Sequence, residues 1–105
     1  LDTRANFKDG CLQDVHWSGG AFGYFPCYTL GAMYAAQWFA AIRAQTPDLD
    51  AHIARADFAP AFDWLATHIW SQASRWPTGE LAKRASGEAL NPAHFRRHLE
   101  ARYLG

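Results

Sequence analysis

Apolar residues that recur every three or four positions are the feature that most restricts the fold of this chain. The clearest run extends from Tyr28 to Gln45, where Leu30, Trp38 and Ile42 share one face. Spacing of this kind is typical of an amphipathic α-helix. A proline two positions after the run ends it, because the residue before a proline disfavours the helical conformation. The longest element of the chain is therefore predicted to be a helix.

The same spacing predicts four shorter helical segments after this helix. Asp and Asn are favoured helix N-caps, proline suits the first helical turn, and glycine follows many helix ends. The predicted fold class is therefore all-α, with helices 28–45 and 60–73 as its main pair. The four segments run from Asp48 to about Arg55, from Pro60 to Ala73, from the N-cap Thr78 to Gly87, and from Asn91-Pro92 through a stripe formed by Phe95, Leu99 and Tyr103.

The first 27 residues carry no helical period and are predicted to be a loop, with a short extended stretch around Leu12 to His16. Residues 28–105 are predicted to be helical. At 105 residues, the whole chain is expected to form one domain, since domains commonly contain about 100–150 residues. The overall prediction is a small domain of four to five helices behind a loop rich in glycine and aromatic residues.

The stretch Gly10–Gly31, GCLQDVHWSGGAFGYFPCYTLG, combines five aromatic residues with most of the glycines of the chain. A connecting loop needs turn-forming residues but not this amount of ring area. A plain core segment, in turn, would not tolerate so many glycines. The combination indicates a functional segment.

Charge and hydropathy exclude several functional classes. The chain has ten basic and ten acidic residues, and this balance argues against binding to nucleic acid or to anionic membranes. No apolar run approaches the roughly 20 residues that span a bilayer, and no signal peptide opens the sequence. The chain is therefore predicted to be cytoplasmic, with Cys11 and Cys27 as reduced thiols.

Residues 10–17 fit the pattern GxxQDxHW, which resembles a signature of the Taq-type zinc metallocarboxypeptidases. The following stretch, HWSGGAFGYFPCYTLGAMYAAQWF, is similar to the segment that comes after this signature in the family. The stretches TGELAKRASGEAL and FRRHLEARYLG have a spacing similar to that of its C-terminus. The resemblance covers essentially all 105 residues and corresponds to the C-terminal part of a family member.

This resemblance implies a larger, mostly helical enzyme that releases C-terminal amino acids from peptides. Such enzymes bind zinc through HExxH and a later glutamate. The only HxxxH of this sequence joins His94 to His98, with Phe95 in place of the glutamate and with Arg96 and Arg97 to repel a metal. The resemblance therefore implies that the zinc ligands lie outside these 105 residues and that this piece alone is inactive.

A second, weaker resemblance concerns the catalytic residues. The spacing of His16, the pair Gly19-Gly20 and Tyr28 is similar to a histidine–glycine–tyrosine stretch of thimet-type oligopeptidases, in which the tyrosine donates to the oxyanion. By this resemblance, Tyr28 is the oxyanion donor and His16 binds substrate or assists. Tyr24 remains an alternative donor.

The other candidate site residues surround this pair in the sequence. Gln13 and Asp14 are expected to orient the loop by bonding to backbone amides and to His16. An aspartate that holds one imidazole N–H also fixes the tautomer of that ring. Together with Trp17 and Tyr24, they form the predicted substrate-binding group.

Two other interpretations remain open: a small helical module that grips a peptide or a partner helix without catalysis, and a segment that forms the interface of a homodimer. The expected partners are a peptide substrate, the remainder of the peptidase chain and a second copy, with self-association through Phe22, Phe25 or their neighbours. The remaining rings are predicted to be structural, namely Trp38, Trp64 and Trp70 in the core, Trp76 in a turn, and His52 and His68 in the structure or at the surface.

Overall fold

The computed structural model describes Lys8, Gly10 and residues 13–105, and all regular secondary structure in these residues is helical. The all-α prediction and the five helices after the N-terminal segment are confirmed. Of the helices described, none combines the length and the apolar character that crossing a bilayer requires. The elements are α1 (Val15–Ser18), α2 (Pro26–Gln45), α3 (Leu49–Ala54), α4 (Ala59–His68), a 3-10 helix (Trp70–Gln72), α5 (Thr78–Ser86) and α6 (Pro92–Tyr103).

The residues group into two units by their internal contacts. The first unit ends at Leu30, and the second comprises Gly31–Gly105. Because α2 begins at Pro26, its first residues belong to the first unit and its remainder to the second.

The N-terminal segment contains a helix that the sequence did not predict. Val15–Ser18 form one helical turn, so the prediction of an extended stretch is wrong for the residues from Val15 onward. Asp14 caps this turn because its Oδ1 accepts the backbone N–H of His16 at 2.7 Å. A single turn is too short to show a helical period, and Leu12 lies outside the described residues.

Helix α2 begins two residues earlier than predicted and ends at Gln45, as predicted. Its first residue is Pro26, whose missing N–H and fixed φ suit the start of a helix. The carbonyl of Phe25 accepts the backbone N–H of Tyr28 at 3.0 Å. This bond closes the first turn of α2.

The predicted helix Pro60–Ala73 is shorter in the structure. Helix α4 ends at His68, and a 3-10 helix follows at Trp70–Gln72. Ala73 has a φ of 47°, which lies in the left-handed region and is incompatible with a continuing α-helix. The apolar stripe of the sequence continues beyond the end of α4 at His68, because a 3-10 helix has a period close to that of the α-helix.

Three of the four predicted capping residues occupy the predicted position. The Asn91 side chain accepts a backbone N–H of α6 at 3.0 Å, and Gly87 ends α5 with a φ of 85°. Asp48 is the N-cap residue of α3, although its side chain makes no bond to the helix backbone. The prediction for Thr78 is wrong, since Thr78 is the first residue of α5 and Pro77 is its N-cap.

The core of the second unit is formed by Ile42, Leu49, Trp64 and Ala85. The predicted role of Trp64 is confirmed, and Trp38 packs half-buried against the same cluster. Trp70 does not belong to the core. Its side chain is 56% exposed and lies against the ring of Phe62, with the ring centroids 6.0 Å apart, because the 3-10 helix turns it away from the α4 stripe.

A buried glutamine connects α2 to the loop between α5 and α6. Gln37 is 1% exposed, and its Nε2 donates to Ser86 Oγ at 2.8 Å and to the carbonyl of Ala89 at 3.1 Å. Its Oε1 accepts the backbone N–H of Asn91 at 2.8 Å. One amide thus satisfies several polar groups of a segment that has no helix or sheet of its own to satisfy them.

Replacing Gln37 by leucine is expected to lower the free energy of unfolding by about 2–4 kcal/mol, because the Asn91 N–H and the Ala89 carbonyl lose their buried partner. Urea denaturation measures this change. Gln45→Leu, at an exposed position of the same helix, serves as control and should change stability by less than about 0.5 kcal/mol. Equal stabilities of the two variants would contradict this role of Gln37.

His52 is structural, as predicted, and lies between two carboxylates. Its Nδ1 is 2.7 Å from Asp57 Oδ2, and its Nε2 is 3.2 Å from Asp48 Oδ2. Asp57 also accepts the backbone N–H of Ala59 at 3.1 Å. The bond to His52, followed by the bond to Ala59, lowers the pKa of Asp57 below its ordinary value. These contacts fix the turn between α3 and α4.

Because the folded state lowers the pKa of Asp57, ionised Asp57 stabilises the fold above its ordinary pKa of 3.8, and this contribution is lost as the pH falls through the lowered pKa. Asp57→Asn should therefore lower the melting temperature at neutral pH and flatten its decline in acid. Thermal melts across the pH range test this. Asp63→Asn, on the exposed side of α4, should leave the curve unchanged.

Candidate active site

Three rings of the first unit, those of Tyr24, Phe25 and Tyr28, lie around the imidazole of His16. We call the group of His16, Trp17, Phe22, Tyr24, Phe25 and Tyr28 the His16 cluster. The ring of Tyr24 stacks on His16 at 16° with a centroid distance of 5.2 Å, and Phe25 is tilted against His16 at 5.0 Å. Tyr28 meets the imidazole with its edge at 5.9 Å. The unusual number of aromatic residues in this segment is thus explained in part by their packing around the His16 ring.

Asp14 and Tyr28 contact the two nitrogens of His16. Asp14 Oδ1 lies 3.1 Å from Nδ1, and the Tyr28 hydroxyl lies 3.3 Å from Nε2. Because a carboxylate only accepts, Nδ1 of the neutral imidazole carries the hydrogen that Asp14 accepts, and Nε2 then accepts the Tyr28 hydrogen. The side chains of His16 and Asp14 are 28% and 25% exposed, so Asp14 orients the ring in a partly desolvated setting.

Tyr28 stays protonated in this environment. Partial desolvation is the largest cause that raises its pKa above the ordinary value, and the nearby Tyr24 phenol and Asp14 carboxylate act in the same direction. The side chain is still 55% exposed. At neutral pH the site therefore offers a phenolic O–H donor that an incoming ligand can reach.

Four of the six predicted site residues meet at the imidazole, namely His16 itself with Asp14, Tyr24 and Tyr28. Trp17 lies one ring further out and contacts Phe25 at 5.6 Å rather than His16. The sixth, Gln13, donates from Nε2 to the carbonyl of Lys8 at 2.6 Å, so it orients the loop through a backbone carbonyl and not through an amide.

Sequence reasoning placed Phe25 only in a self-association contact. The structure places its ring against His16, Trp17 and Tyr28 at once. The one sequence signal for such a role was its position directly before Pro26, where a helix that carries Tyr28 begins.

His94, the first of the paired histidines of α6, is engaged with two protein side chains. His94 Nε2 lies 2.6 Å from Glu88 Oε1, and its Nδ1 accepts from Arg97 at 2.9 Å. Within residues 13–105 together with Lys8 and Gly10, no group of three or more His, Cys, Asp or Glu side chains is arranged to hold a metal ion. The location of the zinc ligands outside this chain stays a prediction.

The second unit contains a separate cavity of about 690 Å³ between α2 and α6. Its floor consists mainly of alanines, and Arg43, Arg97 and His98 stand among its lining residues. None of the predicted site residues lines it. The cavity therefore has a lining different from the tyrosine–histidine pair of the His16 cluster.

An all-helical chain with an Asp–His–Tyr arrangement at its aromatic segment agrees with a metallopeptidase, and residues 3–103 match the family model described as carboxypeptidase Taq (M32) metallopeptidase. The chain belongs to this family.

Relatives with known names match almost the whole chain. Thermostable carboxypeptidase 1 of Thermus thermophilus is 45% identical over 93% of the chain, and that of Pyrococcus furiosus is 39% identical over 93%. The solved structure of Trypanosoma cruzi metallocarboxypeptidase 1 covers 100% of the chain at 48% identity, with a TM-score of 0.92. The chain spans 19%, 20% and 22% of these proteins, respectively, so the structure describes about a fifth of such an enzyme.

Proposed function

We propose that this chain supplies part of the substrate-binding wall of a zinc-dependent metallocarboxypeptidase that releases C-terminal amino acids from peptides. Its family membership supports the reaction class. The observation that carries the role of this segment is the 3.3 Å contact between the Tyr28 hydroxyl and His16 Nε2, with Asp14 on the other ring nitrogen. Two polar groups of opposite hydrogen-bonding character are thereby held side by side.

The proposed role of Tyr28 is to stabilise the oxyanion. Zinc, bound by residues outside this chain, would supply the activated water that attacks the scissile carbonyl. As negative charge builds on the carbonyl oxygen, the Tyr28 hydroxyl turns its hydrogen from Nε2 to that oxygen. The phenol ring stays in place and only its hydroxyl hydrogen turns, so the reorganisation is small, and the new bond strengthens as the charge grows.

The proposed role of His16 is to hold Tyr28 and the substrate. Since Asp14 accepts the Nδ1 hydrogen, Nε2 is an acceptor, and it can receive a peptide N–H once the Tyr28 hydroxyl has turned to the oxyanion. Trp17 and Tyr24 are each 49% exposed and offer apolar surface for the peptide next to this pair.

The same proposal includes the partners and the setting of the full-length enzyme. Val15 and Phe22 are 71% and 74% exposed, so much of the apolar surface of this unit needs a cover. We propose that the remainder of the peptidase chain and a second subunit of a homo-oligomer provide it. The cysteine usage of the sequence supports a cytoplasmic location.

In the full-length enzyme, Tyr28→Phe should lower kcat by about 10²–10³-fold and change KM little, because the lost bond is made mainly in the transition state. Steady-state kinetics with a peptide substrate measures both constants. Phenylalanine keeps the ring, so the packing against Tyr24 and Phe25 should persist.

Tyr24→Phe is the matched comparison, since Tyr24 stacks on the same imidazole but its hydroxyl is not the partner of Nε2. It should turn over at nearly the rate of the unchanged enzyme. A crippled Tyr24→Phe beside a normal Tyr28→Phe would transfer the donor role to Tyr24. Two normal variants would leave this segment as a binding surface without a part in catalysis.

The pH dependence of kcat offers an independent test. A donor must be protonated, and the surroundings raise the pKa of Tyr28, so a loss of activity in alkali that is due to this group should lie above the ordinary range of tyrosine. Tyr28→Phe should remove this alkaline limb from the profile. An unchanged limb in the variant would assign it to another group.

A further inference from the structure

We infer that Phe25 is a positioning residue, which sets the distance between the Tyr28 hydroxyl and the His16 imidazole. This inference rests on the proposed function for its kinetic consequence but not for its geometry. Phe25 touches no reacting atom in the proposed scheme. It acts through the two residues that do.

The side chain of Phe25 contacts both members of the pair. Its ring centroid lies 5.0 Å from that of His16 and 5.9 Å from that of Tyr28. It also lies 5.6 Å from Trp17, which connects the pair to the outer part of the cluster. Tyr24 contacts His16 and Tyr28 as well, but it is 49% exposed, whereas Phe25 is more deeply buried.

The backbone of Phe25 holds the same partner a second time. Its carbonyl accepts the backbone N–H of Tyr28 at 3.0 Å in the first turn of α2. A single residue therefore fixes the main chain of Tyr28 by a hydrogen bond and its ring by packing, while the same ring faces the imidazole. Removing the Phe25 ring leaves the hydrogen bond intact and takes away the surface that packs against both functional rings.

The test uses the full-length enzyme with Phe25→Ala, Phe25→Tyr and the control Phe62→Ala. Phe62 lies in α4 of the second unit, is 54% exposed, and packs its ring against Phe58 and Trp70. Phe25→Ala should lower kcat by roughly 10–100-fold, since a misplacement of about 1 Å can cost as much, with a smaller change in KM. Phe25→Tyr keeps the ring and should restore most of the rate, and Phe62→Ala should keep the rate of the unchanged enzyme.

A crystal structure of the Phe25→Ala enzyme reads the geometry directly. The distance from the Tyr28 hydroxyl to His16 Nε2 should increase from 3.3 Å to beyond about 3.5 Å, where the hydrogen bond is lost. If the distance stays at 3.3 Å, the positioning role is overturned, whatever the rate. Phe25→Leu, which keeps more apolar volume, replaces the alanine variant if that protein does not fold.

A double variant separates this inference from the proposed function. If Phe25 acts through Tyr28, Phe25→Ala should slow the Tyr28→Phe enzyme much less than it slows the unchanged enzyme. Full and additive losses would overturn the inference. A Tyr28→Phe enzyme of normal rate would instead overturn the oxyanion role of Tyr28. The crystallographic distance alone would then test whether Phe25 positions the two rings.

Discussion

The geometry of the proposed site depends on one carboxylate oxygen that accepts two hydrogens from the same residue. Asp14 Oδ1 accepts the backbone N–H of His16 and lies 3.1 Å from its Nδ1. The first bond starts the single turn of α1, and the second fixes the orientation of the imidazole. Because both bonds end on one atom, the helix turn and the ring cannot move independently. The Tyr28 hydroxyl can bond to Nε2 only when the ring is held in this orientation.

The unusual composition of the N-terminal segment follows from the same requirement. An imidazole held at the surface of a small unit needs large rings to shield it, and the rings of Tyr24, Phe25 and Tyr28 provide them. The rings must come from a short stretch of chain, so the backbone has to turn sharply between them. Gly20 and Gly23 adopt φ values of 74° and 81°, which side chains rarely allow. The aromatic residues thus surround the imidazole, and the glycines allow the turns that bring them there.

The sequence allowed the fold to be predicted better than the details of the site. Long apolar stripes fixed α2 and the all-α class, since periodicity accumulates over many residues. Periodicity failed where local geometry decides the structure. The examples are the single turn of α1, which the Asp14 cap starts, and Ala73, whose φ lies outside the helical region. The family signature contains His16, and the second resemblance pointed to Tyr28. Apart from its position directly before Pro26, nothing in the sequence distinguished Phe25 from the other rings, because its importance arises from contacts that only the folded chain creates.

The amide of Gln37 shows how a position outside the proposed chemistry becomes irreplaceable. Its side chain must give hydrogens to Ser86 and Ala89 and take one from Asn91. Glutamate offers only acceptors when ionised, lysine and arginine offer only donors, and asparagine carries the same amide on a shorter arm. Glutamine alone meets the demand at this reach. If related chains keep glutamine at this position, the reason is folding, and its conservation is no evidence for a catalytic role.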